Sequence, residues 1–251
     1  MAPTPNELHV RALRKRVLLA FDFDETLAPN TTNALLEHLG ENPEEFRDRY
    51  VKPLQDRGWE SRLAEAHTLV ELSRRRSDPI TDQTFAEVAS NLDMYPGVPD
   101  MFDRVRTAVG DIDDDIDVEF HMITAGFVNI PSHTAIADEF TSIIGGHWAF
   151  DEAGQIVFPK NTVGHYAKVR HLLALAKGID SVQSDRSYDI DRDIPESEWH
   201  APFEQIIFVG DGDSDLPAFD FMQSHAGTAI AVYQADNARE WESKGDMRRG
   251  R

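Results

Sequence analysis

Residues 17–23 read VLLAFDF, an apolar run that ends in Asp22 and is followed at once by Asp24 and Glu25. A run this short is no membrane span, which needs roughly 20 apolar residues; it predicts a strand buried on both faces of a parallel sheet. Two further runs have the same shape. Residues 118–123 end at Thr124-Ala125-Gly126, and residues 205–209 end at Gly210-Asp211-Gly212, with Asp215 close behind. A fourth buried strand is expected over 227–232. Helical periodicity separates these runs over 101–109, 127–139 and 166–176. Strands alternating with helices predict an α/β fold, a doubly wound Rossmann-like parallel sheet. Ligands bind such sheets at the carboxyl ends of the strands, so the pattern directs Asp22, Asp24, Thr124, Asp211 and Asp215 toward one crevice.

Between the first two strands the periodicity is helical throughout, in NALLEHLG, PEEFRDRYVKPL, SRLAEAHTLVELSRRR and TDQTFAEVASNL. Turn formers bound this stretch at Pro29-Asn30 and at Tyr95-Pro96-Gly97. The division expected is therefore a core of residues 1–30 and 94–251 and an inserted helical domain of residues 31–93. HWAFDEAGQIVF predicts a hairpin turning over 151–154. The acidic stretch 178–202 is expected to run over the surface, residues 1–14 to form a polar leader with neither signal peptide nor anchor, and the polar end, NAREWESKGDMRRGR, to fray.

Charge and cysteine content exclude several chemistries. The net charge of −20 repels polyanions, so no nucleic-acid partner is expected, and no membrane partner either. The absence of cysteine removes disulfides, thiolate metal sites and cysteine nucleophiles, and suits a cytoplasmic setting. Four aspartates converging on one crevice require a compensating cation, and a cysteine-free oxygen ligand set points to Mg²⁺.

Taken singly, each motif is ordinary. A DxD pair is usually a solvated turn, GDGDSD suits a calcium-type loop or a helix cap, Thr124 suits a helix N-cap, and Lys168 an exposed helical lysine. Together and in this order they resemble the haloacid dehalogenase-like superfamily, in its phosphoserine-phosphatase-like branch. The first motif stands as Asp22-Phe23-Asp24-Glu25-Thr26, the second as Thr124 in ITAGF, the third as Lys168 in HYAKVRHLL, and the fourth as Gly210 to Asp215. Lys160 in VFPKN competes for the third place, but NTVGHYAK sets Lys168 at the opening of a helix. His147 and His165 are read as structural rather than as ligands.

The resemblance implies a Mg²⁺-dependent phosphatase of small phosphorylated metabolites, with residues 31–93 as a helical cap of C1 type. Asp22 would be the nucleophile and Asp24 the general acid and base. Thr124, Ala125 and Lys168 would bind phosphate. Asp22, Asp211 and Asp215 would hold the metal, with the backbone carbonyl of Asp24. Phosphoserine phosphatases carry a glutamate for the substrate amine where Thr31 stands, and a cap arginine near Ala64, adjacent to Arg62. The missing glutamate points to a different small ester, with Thr31, Trp59 and Arg62, and beside them Glu60 and His67, as candidate recognition residues. A phosphotransferase or phosphomutase would keep the same aspartates, and a non-catalytic phosphate-binding protein is the alternative outside enzymes. A metal-free dehalogenase is disfavoured by Asp24 and Asp211.

Overall fold

β1 (Arg16–Phe21) sends alternate side chains to opposite faces of a sheet, which is why its sequence reads as one unbroken apolar run. Leu18 and Ala20 enter one core; Leu19 and Phe21 enter the other. The computed structural model describes residues 14–179, 189–212 and 214–233. Most of the expected leader, residues 180–188 of the acidic stretch, and the polar C-terminal stretch lie outside the described residues.

A helical insert follows β1: α1 (Thr31–His38), α2 (Pro43–Phe46), a π-helical turn (Arg47–Val51), α3 (Lys52–Gln55), α4 (Ser61–Arg75) and α5 (Asp82–Ser90). The chain then returns through α6 (Val98–Gly110) to β2 (Asp117–Phe127), β3 (Ser142–Phe150) and β4 (Ile156–Asn161). α7 (Ala167–Lys177), β5 (Ile206–Gly210), α8 (Leu216–Ser224) and β6 (Thr228–Ala231) complete the described fold. The strand order is β4-β3-β2-β1-β5-β6, parallel except for the β3–β4 hairpin. The chain steps outward from β1 on one side and then crosses to β5 on the other, so the connections diverge beside β1. That switch point is where such a sheet opens a crevice.

α6 packs Val98 and Phe102 on one face of the sheet, and α7 and α8 pack Leu172, Phe219 and Met222 on the other. A third core joins the helical insert to the hairpin. Leu36, Phe46, Leu69 and Phe85 meet Trp148 and Ile156, and Phe127 stacks on Trp148 at 4.1 Å. The backbone N–H of Ile156 also donates to Ile80 O at 3.0 Å, so the insert is tied to the sheet by main chain as well as by packing.

Two expectations change. Residues 127–139 form no α-helix, because β2 runs on to Phe127 and Pro131 removes a backbone donor. Only 3₁₀ turns follow, at Pro131–His133 and Ala137–Glu139, with the Thr134 hydroxyl donating to Pro131 O at 2.7 Å. β6 is an edge strand whose residues alternate between exposed and half-buried, not a fully buried strand. The described part of the acidic stretch runs over the surface as expected, with residues 191–193 and 195–198 exposed, and it is anchored at both ends. Ile190 and Ala201 are buried, and Lys177 Nζ donates to the carbonyls of Ile190 at 2.6 Å and Arg192 at 2.8 Å. The hairpin turn is as expected, with Asp151 Oδ1 accepting from the backbone of Ala153 and Gln155, and Gly154 supplying a φ of 81°.

Far from the strand tips, Glu119 sits among Arg16, His121 and His200. His200 Nδ1 faces the Arg16 guanidinium at 2.9 Å, and since guanidinium only donates, the His200 proton lies on Nε2, which reaches Glu119 Oε2 at 2.9 Å. Burial alone would raise the Glu119 carboxyl. Hydrogen bonds from His121 and His200, and the charge of Arg16 at 2.7 Å, outweigh it and hold the group at about 2. A depressed carboxyl contributes stability that is complete above its unfolded value and lost as pH falls through its folded value. Glu119→Gln is therefore expected to cost roughly 1–2 kcal/mol at neutral pH, discounting for solvent screening. In denaturant melts the gap to wild type should close between about pH 4.5 and pH 2. A gap that persisted unchanged down to pH 2 would contradict this reading.

Candidate active site

Each expected site residue can be followed from its strand. Asp22 is the first residue past β1, and its N–H donates to Val209 O at 2.8 Å, so it stays tied to β5. β2 pairs with β1 only as far as Met122, although the strand continues to Phe127. Thr124 therefore stands just beyond the end of β1, buried, at a break in the register between β2 and β3. It caps no helix; its Oγ1 accepts from Gly126 N at 3.0 Å. A Cβ at Gly126 would lie 2.9 Å from Asp24 Oδ2, so glycine is what lets this strand approach the Asp24 carboxylate.

After β5 the chain turns back, and Asp215 is fully buried beneath the turn. Its Oδ2 accepts from Asp211 N at 3.1 Å and lies 3.4 Å from Gly212 N. A Cβ on Gly210 would lie 2.3 Å from that oxygen, so only glycine admits it. Lys168, on the first turn of α7, is also fully buried, with Nζ at 2.9 Å from Asp22 Oδ1 and 2.6 Å from Asp215 Oδ1. Lys160 is exposed on β4 and lines a different cavity with His147 and His171.

Burial raises the Asp24 carboxyl to about 6, with the neighbouring Asp22 charge adding and the Thr31 hydrogen bonds opposing. Asp215 is also raised to about 6 by burial and by Asp22, against the pull of Lys168. Burial pushes the Lys168 ammonium down, but Asp22 and Asp215 outweigh it and the net direction is upward. Arg62 follows the same logic: burial lowers it, while Glu65, Asp24 and Asp22 together raise it.

Carboxylate oxygens of Asp22, Asp211 and Asp215 all lie within 4.8 Å of one another. Lys168 pairs with two of these three carboxylates, and all three offer oxygen ligands, so the residues fit a hard divalent cation. The Asp24 carboxyl is not part of that group; its Oδ1 accepts from Thr31 N at 2.8 Å.

A cavity of about 270 Å³ is lined by Asp22, Asp24, Thr124, Ala125, Asp211 and Arg62. Of the five residues expected to read substrate, only Arg62 lines it. Thr31 is buried and instead holds Asp24, and Trp59 is 43% exposed with its ring 4.9 Å from His67. Glu60 is occupied as the N-cap of α4, accepting from Leu63 N at 2.9 Å. Glu25, Asn30, Gly126 and Ser214 also line the cavity and were not singled out from the sequence. Glu25 was legible as a motif position, but its left-handed φ of 59° was not.

No family model matches the chain. An uncharacterized protein of Borreliella burgdorferi is 22% identical over 195 residues, covering 68% of this chain; the chain spans 64% of that protein's length. A probable phosphoserine phosphatase from Vibrio cholerae superposes with a TM-score of 0.57 at 15% identity, over 90% of this chain and 58% of that one. A substrate-bound phosphoserine phosphatase superposes with a TM-score of 0.53 at 15% identity, over 92% and 99% of the two chains. A HAD family hydrolase from Salmonella enterica serovar Typhi gives 0.55 at 15% identity, over 87% and 63%. Identities this low establish architecture alone, and on that footing the chain has the α/β fold of the haloacid dehalogenase-like hydrolases, with phosphoserine phosphatases among its structural neighbours.

Proposed function

We propose that this chain is a Mg²⁺-dependent cytoplasmic phosphatase that hydrolyses a small phosphorylated metabolite through an aspartyl-phosphate. The observation that carries the reading is the pairing of two carboxylates with divided environments. Asp22 is held by Lys168 at 2.9 Å, while Asp24, two residues on, is raised to about 6 and can carry a proton. A lysine-held carboxylate beside a carboxyl that can carry a proton offers the nucleophile and the acid that such a reaction needs.

In the first half-reaction an Asp22 carboxylate oxygen attacks phosphorus and the bond to the ester oxygen breaks. Asp24 gives its proton to that departing oxygen. In the second half, Asp24, now a carboxylate, takes a proton from water; the water oxygen attacks phosphorus, and Asp22 and inorganic phosphate are released. Thr124 accepts from Gly126 through Oγ1, so its hydroxyl proton is available to a phosphoryl oxygen, and Ala125 lines the same cavity beside it. Lys168 restrains Asp22 and offsets developing charge. Asp22, Asp211, Asp215 and the Asp24 carbonyl would hold Mg²⁺, which when bound supplies charge neutralisation at the transferring group.

The helical insert supports a small substrate and a cap-like role. Arg62 lines both the acidic cavity and a second one of about 180 Å³ within the insert, where Leu36, Phe46 and Val51 face Gln55 and Glu65. Together these volumes suit a metabolite rather than a protein substrate. The test is phosphate release from phosphoserine, sugar phosphates, glycerol phosphate and nucleoside monophosphates, with Mg²⁺ and with chelator. Release that requires Mg²⁺ is the expected result. A folded, Mg²⁺-binding protein that releases phosphate from none of them would overturn hydrolysis as the function.

A further inference from the structure

Glu25 occupies a backbone conformation that its side chain makes expensive. Its φ of 59° lies in the left-handed region, where a residue with a Cβ sits only if surrounding contacts hold it. Those contacts are identifiable. The Glu25 N–H donates to Ala28 O at 2.7 Å, closing the loop that begins at Asp24. Its Oε1 accepts from Asn30 N at 3.1 Å, and its Oε2 accepts from the Tyr95 hydroxyl at 2.8 Å. Asn30 is the N-cap of α1 and so begins the helical insert; Tyr95 lies just beyond the insert, before α6. One carboxylate thus grips both crossings between insert and sheet. The grip is reinforced by main chain, since Tyr95 N donates to Leu27 O at 2.9 Å within the same loop. Asp24 is the neighbouring residue, and its Oδ1 is held by Thr31 N on the first of those crossings.

We propose that Glu25 is a positioning residue that locks both crossings of the helical insert to the loop carrying Asp24, so that the insert's seating and the aim of the Asp24 carboxyl are set together. This rests on the phosphatase reading for its catalytic half, but the lock itself does not. If the crossings shift, Thr31 N moves and Asp24 loses its restraint. The step that suffers is proton delivery to the departing oxygen, not attack by Asp22.

That distinction gives a test. Glycerol phosphate leaves as an alkoxide that must be protonated, whereas para-nitrophenyl phosphate leaves as a stable phenolate that needs little help. Because kcat/KM reports steps up to leaving-group departure, Glu25→Ala is expected to lower it at least 10-fold for glycerol phosphate and less than 3-fold for para-nitrophenyl phosphate. Equal losses on both esters, or none on either, would overturn the role. Glu25→Gln keeps an acceptor for Asn30 N and a partner for the Tyr95 hydroxyl, so it should stay within 3-fold of wild type on glycerol phosphate; a Gln variant as impaired as Ala would contradict the lock. Amide hydrogen exchange reads the lock without turnover. In Glu25→Ala, exchange at Asn30 and Tyr95 should rise at least 10-fold while Leu19 and Phe120, deep in the sheet, stay within 2-fold. Unchanged exchange at both crossings sinks the proposal. If the wild-type protein turned over neither ester, exchange would still decide the lock, and the phosphatase reading would be decided by the wider panel of phosphate esters.

Discussion

Asp22→Asn is expected to lower phosphate release at least about 10³-fold while leaving the fold intact, because an amide in place of the nucleophile removes the step on which the other groups act. The substitution keeps the shape of the side chain and the N–H of residue 22, which ties the loop to Val209. Lys168 loses one of its two carboxylate partners but keeps Asp215 at 2.6 Å, so its buried charge is not stranded. Removing a carboxylate from a cluster where Asp22, Asp211 and Asp215 crowd within 4.8 Å also relieves repulsion. The melting temperature should therefore stay within a few degrees of wild type, and near-normal turnover in a folded variant would rule out the aspartyl-phosphate route. A variant that lost turnover only because it failed to fold would show itself in the melt.

Most of the sheet could be read from local sequence, because a strand buried on both faces must be continuously apolar and the chain marks the ends of β1 and β5 with Asp22 and Asp211. What could not be read depends on contacts between distant residues. Nothing local in FVNIPSHTAIADEF announces that β2 extends to Phe127, since that extension rests on pairing with Gly146 across a register break. Thr31 aligned with a substrate-binding position, yet its backbone turns inward to Asp24, a choice set by how α1 starts after Asn30. The lysine was the reverse case. Two candidates, Lys160 and Lys168, are separable because NTVGHYAK sets only the second at the opening of a helix, and that one reaches Asp22. The hold of Glu25 on Asn30 and Tyr95 was invisible, because its partners lie 5 and 70 residues away.

The same geometry makes Lys168→Met the variant with the largest effect on stability. The ammonium is fully buried between Asp22 and Asp215, and its raised pKa contributes stability that is complete below the ordinary lysine value and lost only as pH rises through the higher folded one. Methionine fills similar space but leaves two buried carboxylates without their cation, a loss of roughly 3–5 kcal/mol at pH 7.5 in chelator. The deficit should shrink as pH falls, because Asp215 is already raised to about 6 with the lysine present, and without that cation its carboxyl protonates more readily still in the folded state than in the unfolded one. Mg²⁺ offers a second remedy by binding the folded carboxylates, returning about 2.7 kcal/mol at a hundred times its Kd. Turnover should not return with it, since Asp22 would remain without the restraint that aims it. Denaturant melts in chelator and in Mg²⁺, at pH 5.5 and 7.5, beside a rate assay, separate these effects. A variant as stable as wild type in chelator at pH 7.5 would show that the carboxylates do not depend on this lysine. Recovery of both stability and rate on adding Mg²⁺ would show that the cation alone organises Asp22, and Lys168 would then be a structural residue with no part in catalysis.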